Sequence, residues 1–176
     1  MDRQLLIDNI REVPDYPKKG ITFFDITTLF KNPRSFKEAE DAMYEYYKDK
    51  GITKVAGIEA RGFVMGAALA SRLGAGFVLV RKEGKLPAET IKYSYKKEYG
   101  EDVIGIHKDA ITPDDVVLVH DDILATGGTA AAAIKLVEGF NPKAVLASFI
   151  IEIEGLGGKD LISDDIDVYS LLNLSE

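Results

Sequence analysis

The sequence predicts an α/β fold, a single domain whose mainly parallel central sheet is flanked by helices. Two observations support this prediction. Short runs of consecutive apolar residues, such as 116–119, are typical of parallel strands buried on both faces, and they alternate with segments of helical periodicity. A chain of 176 residues, 46% of them hydrophobic, can bury one sizeable core but not two. We therefore treat residues 1–176 as one domain.

Residues 1–30 are expected to form a small hood on the body of the domain. Apolar residues from Leu5 to Val13 recur at helical spacing and stop before Pro14, which predicts a short helix. An apolar run with two phenylalanines follows at 21–26. Its composition alone fits either a core strand or a surface that stacks on a flat base.

Residues 31–176 are expected to form the core. Asn32 and Pro33 should begin its first helix, as an N-cap followed by a first-turn proline. Buried strands are predicted after it at 54–58, 76–80, 116–119, 144–153 and 167–172. The polar, tyrosine-rich segment at about 82–109 predicts a flexible hairpin loop that closes over an active site and excludes water, and 155–158 predicts a loose turn.

Composition excludes several classes of function. The net charge of −7 argues against non-specific binding of nucleic acid. Basic residues nevertheless concentrate between 81 and 97, and this cluster could bind a small polyanionic ligand or form an ordinary solvated loop. Cysteine is absent and there are only two histidines, so disulfides are excluded and a zinc site is not expected. With no membrane-span pattern and no signal-peptide pattern, we expect a cytoplasmic protein.

The strongest functional signal follows the predicted strand at 116–119. Asp121 and Asp122 come next, then a turn of small residues, then a strong helix-forming segment at 130–138. The turn consists of Ala125, Thr126, Gly127, Gly128 and Thr129. Unpaired N–H groups at a helix amino end bind phosphate, whereas ionised carboxylates accept hydrogen bonds from sugar hydroxyls. This order predicts a pocket for a sugar 5-phosphate, with the carboxylates on the ribose and the turn on the phosphate.

Neither half of this pattern is specific by itself. A small-residue turn after a strand is also an ordinary helix start, and a pair of aspartates is also an ordinary solvated turn. The sequence contains neither the P-loop pattern nor the G-x-G-x-x-G pattern. The complete ordered string therefore favours the sugar-phosphate pocket.

Residues 120–129 resemble the 5-phosphoribosyl 1-pyrophosphate signature of the type I phosphoribosyltransferases. Four further segments, in the family's order, are similar to the branch that acts on adenine: 21–29, 57–63, 80–90 and 98–100. The resemblance implies the type I phosphoribosyltransferase fold and a purine-salvage reaction in which adenine and 5-phosphoribosyl 1-pyrophosphate give AMP and pyrophosphate. It also implies a homodimer, and Mg²⁺ held mainly through substrate oxygens rather than by assigned protein ligands.

The resemblance also suggests the catalytic residues. Arg61 matches an arginine of the pyrophosphate loop, in which relatives hold a cis peptide, here Glu59–Ala60. Glu98 matches a glutamate that faces the base and supports proton transfer. Asp121 and Asp122 would stabilise positive charge that develops on the ribose. The residues alone favour the simpler interpretations, in which Arg61 is an exposed loop arginine and Glu98 is a charged loop residue.

The hood is expected to hold adenine. Phe23 matches an aromatic residue that stacks on the base, and Thr22 and Phe24 would contribute mainly through backbone groups. Phe24 stands where many relatives carry a basic residue, so this chain lacks any role that depends on that charge.

Residues outside the hood complete the expected site. Tyr99 lies beside the predicted catalytic glutamate. Arg81 and Lys85 match a basic segment that lies near the dimer interface of relatives and contributes to the neighbouring active site. His120 is expected to be structural.

Two alternatives remain open at this point. One is a phosphoribosyltransferase for another base, such as hypoxanthine or xanthine, which the hood would distinguish because 6-amino and 6-oxo purines present opposite hydrogen-bond partners. The other is a non-enzymatic regulator that binds 5-phosphoribosyl 1-pyrophosphate as a signal. Such regulators usually need a nucleic-acid-binding surface, which the negative net charge does not favour.

Overall fold

The computed structural model describes residues 1–96 and 100–175, which form strands, helices and one short 3₁₀ turn. The strands are β1 (Arg11–Val13), β2 (Phe23–Asp25), β3 (Lys54–Ile58), β4 (Gly76–Lys82), β5 (Thr90–Lys96), β6 (Glu101–His107), β7 (Val116–Leu124), β8 (Ala144–Glu154) and β9 (Asp167–Ser175). The helices are α1 (Arg3–Asp8), α2 (Thr27–Lys31), α3 (Pro33–Tyr47), α4 (Gly62–Leu73) and α5 (Gly128–Glu138), and the 3₁₀ turn is Gly158–Leu161.

A seven-stranded sheet in the order β5-β6-β4-β3-β7-β8-β9 forms the centre of the molecule. Five of these strands are parallel to one another, namely β4, β3, β7, β8 and β9. The β5–β6 hairpin is antiparallel and joins the sheet through pairing of β6 with β4. The mainly parallel sheet is thus confirmed. Ligands of such sheets bind beyond the carboxyl ends of the parallel strands, so the expected site lies at that edge.

Helices cover both faces of the sheet. Neighbouring residues of the central strand point in opposite directions and therefore pack against helices on opposite faces. Val117 and Val119 of β7 pack in the core cluster that contains the apolar residues of α5. Leu118 points to the other face, where it packs with Tyr47 of α3 and Ala70 of α4. This alternation explains why the whole run is apolar.

The prediction that residues 76–80 form a strand buried on both faces was wrong in part. The strand is longer, and Leu79 is 39% exposed. The reason is that side chains alternate between the two faces of a strand. Val78 and Val80 point into the core cluster that contains the apolar residues of α5, whereas Leu79 points to the opposite face and is exposed there. The apolar run by itself does not reveal that only one face is covered at this point.

The amino-terminal hood consists of α1, the two-stranded β1–β2 sheet and α2. The helix predicted from the spacing of Leu5 to Val13 ends at Asp8, and its last part is wrong because Arg11–Val13 pairs with β2 as a strand. Val13 pairs with Phe23, and Glu12 pairs with Phe24. Phe24 is 3% exposed and packs in the core cluster that also contains Leu6 and Ile26, so it anchors the hood to the body. None of the helices among the described residues could span a lipid bilayer.

Candidate active site

A cavity of about 200 Å³ opens beyond the carboxyl ends of the central strands. Residues 59–61, which follow β3, form one wall. Asp121 and Asp122 of β7 and Thr129 in the first turn of α5 form another. The parallel sheet therefore brings the predicted pyrophosphate loop, the acid pair and part of the phosphate-binding turn to one place. The peptide between Glu59 and Ala60 is cis, as the resemblance implied.

The turn at 125–129 leads directly into α5. Gly127 adopts a left-handed conformation with φ of 79°, and the helix begins at Gly128 without a side-chain cap. The first intrahelical acceptor is the Gly127 carbonyl, which receives the Ala131 N–H at 2.8 Å. The N–H groups before Ala131 lack intrahelical partners and are available to an anion.

The 3₁₀ turn supports this phosphate-binding turn from behind. A Cβ atom at Gly127 would lie 2.1 Å from the carbonyl oxygen of Gly158, and a Cβ at Gly158 would lie 2.2 Å from the carbonyl oxygen of Ala125. Two backbones therefore meet with no room for a side chain on either. The turn predicted as loose at 155–158 is exposed at residues 155–157 but buried at Gly158, because another loop packs against that residue. Nothing in the local sequence indicates this contact.

Arg61 connects the acid pair with the hood. Its Nε lies 2.7 Å from Oδ2 of Asp122, and its guanidinium carbon lies 5.1 Å from the centre of the Phe23 ring. Asp121 accepts a hydrogen bond from the backbone N–H of Asp122 at 2.9 Å. Burial, and then the charge of Asp122, raises the pKa of Asp121 well above its ordinary value. Burial also raises the pKa of Asp122, against the opposing effect of Arg61.

The raised pKa of Asp121 predicts that the site reduces the stability of the folded chain. A carboxyl that binds its proton more tightly when folded disfavours folding once it is ionised, and this effect disappears below the unfolded pKa of about 4. We expect Asp121→Asn to raise Tm by at least about 2 °C at neutral pH and to leave Tm unchanged near pH 3. Asp109→Asn, at an exposed aspartate, is the control. Equal Tm values for Asp121→Asn and wild type at neutral pH would contradict the expectation.

The hood reaches the site through Phe23 and not through Phe24. The Phe23 ring is half-buried between Arg61 and Tyr16, whose ring centre lies 5.3 Å away in an edge-on arrangement. Thr22 is half-exposed beside it. Because the Phe24 side chain is buried in the core, a contribution of Phe24 to binding is restricted to its backbone.

Glu59 organises the basic segment after β4, a role that the sequence analysis missed. Its Oε2 accepts hydrogen bonds from Nε of Arg81 at 2.9 Å and from the backbone N–H of Lys82 at 3.1 Å. Arg81 also donates to the Lys85 carbonyl at 3.1 Å. Lys82 lines the cavity, whereas Lys85 is exposed and does not. Tyr95 of the hairpin also lines the cavity and was likewise missed.

Two predicted residues, Glu98 and Tyr99, lie outside the described residues. Among residues 1–96 and 100–175, no group of three or more Asp, Glu or His side chains is arranged to hold a metal. His120 is fully buried, its Nδ1 lies 2.8 Å from the Ser148 hydroxyl, and burial lowers its pKa to about 3. A neutral, buried imidazole agrees with the structural role predicted for it.

Comparisons with known proteins agree on one family. A family model described as the phosphoribosyl transferase domain matches residues 25–174. The chain is 59% identical over 174 residues to an adenine phosphoribosyltransferase of Phocaeicola vulgatus, an alignment that covers 99% of this chain and 100% of that protein.

Solved structures of similar proteins share the whole fold. Adenine phosphoribosyltransferase from Rhodothermus marinus superposes with a TM-score of 0.92 at 48% identity and covers 97% of each chain. The enzyme from Saccharomyces cerevisiae, solved with an imino-altritol bisphosphate and adenine, gives a TM-score of 0.90 at 40% identity and covers 96% of this chain and 97% of its own. The type I phosphoribosyltransferase fold is thus confirmed.

Proposed function

The chain belongs to the adenine phosphoribosyltransferase family, and from this membership we propose that its cavity binds 5-phosphoribosyl 1-pyrophosphate and adenine and releases AMP and pyrophosphate. One observation carries the assignment of residues. Arg61, the acid pair and the first turn of α5 line the same cavity at the carboxyl edge of the sheet.

The two ends of the sugar are held by different parts of the chain. The phosphate-binding turn, residues 125–129, supplies backbone N–H groups and the hydroxyls of Thr126 and Thr129 to the 5-phosphate. Asp121 and Asp122 accept hydrogen bonds from the ribose hydroxyls. Because these carboxylates lie where the anomeric carbon gains positive character, they stabilise the transition state more than the ground state.

The reaction exchanges one bond at the anomeric carbon for another. The bond to the pyrophosphate oxygen breaks, the bond to adenine N9 forms, and N9 loses its proton. Arg61 neutralises charge on the departing pyrophosphate, and Glu98, with Tyr99 beside it, supports the proton transfer on the base. Phe23 stacks on the base, with Thr22 and the backbone of Phe24 beside it. Positioning of the two substrates, rather than covalent catalysis, supplies most of the rate.

The cavity also suits Mg²⁺ that arrives with the substrate. Among the described residues the acidic side chains that line it do not form a metal-binding group, so the ion would keep its ligands as water and phosphate oxygens, and Asp121 and Asp122 would accept hydrogen bonds from its bound water. Bound there, Mg²⁺ would draw negative charge from the departing pyrophosphate.

We also propose a homodimer whose interface includes the exposed face of β4. Leu79 of β4, two positions before Arg81, is 39% exposed, and Val64 of α4 is 43% exposed. The basic segment that contains Arg81 and Lys85 follows Leu79 directly along the chain. If that segment acts in the neighbouring site, chains with Arg81→Ala and chains with Asp122→Ala should restore activity when mixed. Failure to restore it would argue against sharing. A cytoplasmic location remains the prediction made above.

The function is tested by offering several bases in parallel. Wild-type chain with 5-phosphoribosyl 1-pyrophosphate and Mg²⁺ receives adenine, hypoxanthine, guanine or xanthine, and the nucleotide product is measured. We expect AMP from adenine and no turnover of the 6-oxo bases, because the hood must match the 6-amino group. Turnover of a 6-oxo base would overturn the assignment of the hood while keeping the phosphate site. Binding without turnover of any base would favour the regulator.

A further inference from the structure

We propose that Tyr95 is a positioning residue for the ribose phosphate, because its hydroxyl orients the hydroxyl of Thr129 at the amino end of α5. This inference rests on the proposed function. It extends the phosphate site to the β5–β6 hairpin. Tyr95 of this hairpin and Thr129 of the phosphate-binding turn are 34 positions apart in the sequence.

The contact is held in place by apolar packing. Oη of Tyr95 lies 3.0 Å from Oγ1 of Thr129. Ile91 and Tyr95 of β5 are partly buried and pack against the core cluster that includes Ala130 and Ile134 of α5. Both hydroxyl-bearing residues line the same cavity as the acid pair. The hairpin therefore delivers a phenol to the first turn of the helix with little freedom to move away.

The direction of the hydrogen bonds follows from the chemistry of phosphate. A threonine hydroxyl has one hydrogen to donate and can accept at its oxygen. Phosphate oxygens that carry negative charge only accept, so Thr129 donates its single hydrogen to the bound phosphate. Tyr95 must then donate to Thr129. Two O–H groups aligned in this way polarise each other, which strengthens the bond from Thr129 to phosphate and fixes the rotation of its hydroxyl.

Tyr95→Phe removes the hydroxyl and keeps the ring that packs on α5. We expect the KM for 5-phosphoribosyl 1-pyrophosphate and the Kd for ribose 5-phosphate to rise about 3- to 10-fold, the range for one hydrogen bond, with kcat and the KM for adenine unchanged. Tyr93→Phe is the matched control, because Tyr93 lies two residues earlier on the same face of β5 and is 39% exposed. We expect wild-type values for it.

A double variant separates action through Thr129 from direct contact with the phosphate. Thr129→Val removes the acceptor, so adding Tyr95→Phe to it should not weaken ribose 5-phosphate binding further. A full additional loss in the double variant, or a wild-type Kd for Tyr95→Phe alone, would overturn the proposal. The titration with ribose 5-phosphate does not need turnover. If the wild-type chain fails to convert adenine, the proposed function fails, and the titration still decides the role of Tyr95.

Discussion

Asp122→Asn is expected to lower kcat/KM by about 100- to 1,000-fold, the usual loss when one preorganised group that stabilises transition-state charge is removed. Two effects combine at this position. The substitution removes negative charge beside the anomeric carbon, and it removes the partner that holds Nε of Arg61 at 2.7 Å. Both effects act mainly on the transition state, so kcat should fall more than substrate affinity.

The size of this effect can be separated from a general loss of charge. Asp114→Asn changes an exposed aspartate in the segment before β7, outside the cavity lining, and should leave the kinetics unchanged. Because asparagine is nearly the same size as aspartate and the folded chain disfavours the ionised form at this position, we expect Asp122→Asn to remain folded. Wild-type kcat/KM in Asp122→Asn, measured with saturating Mg²⁺, would remove this residue from the catalytic group.

The parts of the fold and site that could be predicted are those encoded by neighbouring residues. The run from Val116 to Val119 is apolar at every position because both faces of β7 are covered, so its character was evident locally. The order of strand, acid pair, turn and helix likewise lies within one continuous stretch. Parallel strands end at a common edge of the sheet. Arg61 follows the predicted strand at 54–58, so the sequence also predicts that it lies near this stretch.

The remaining features depend on contacts between segments far apart in sequence. Glu59 binds Arg81 across 22 positions, and no local pattern distinguishes this glutamate from an exposed one. Phe23 and Phe24 are adjacent phenylalanines, yet one faces the site and the other is buried, because the β1–β2 pairing fixes which side each faces. Composition alone could not make that choice.

The contact between the phosphate-binding turn and the 3₁₀ turn leads to a second large effect. In Gly158→Ala the new Cβ would lie 2.2 Å from the carbonyl oxygen of Ala125 and 3.1 Å from the backbone nitrogen of Gly127. Neither neighbour is a flexible side chain, so the backbone at 125–127 must move. A displacement of about 1 Å in a group that positions substrate can lower the rate about 100-fold. We therefore expect a loss of that order in kcat/KM for 5-phosphoribosyl 1-pyrophosphate.

The ligand dependence of this loss distinguishes displacement of the turn from damage to the whole domain. Gly158→Ala should weaken binding of ribose 5-phosphate. Binding of adenine to the hood, measured by titration, should be unchanged, because the nearest atoms that the new Cβ would meet belong to Ala125 and Gly127 and not to the hood. Leu161→Ala alters the same turn at a side chain that is 58% exposed and serves as the control. Unchanged binding of ribose 5-phosphate in Gly158→Ala would show that the phosphate-binding turn tolerates the shift, and would refute the role of the 3₁₀ turn as its support.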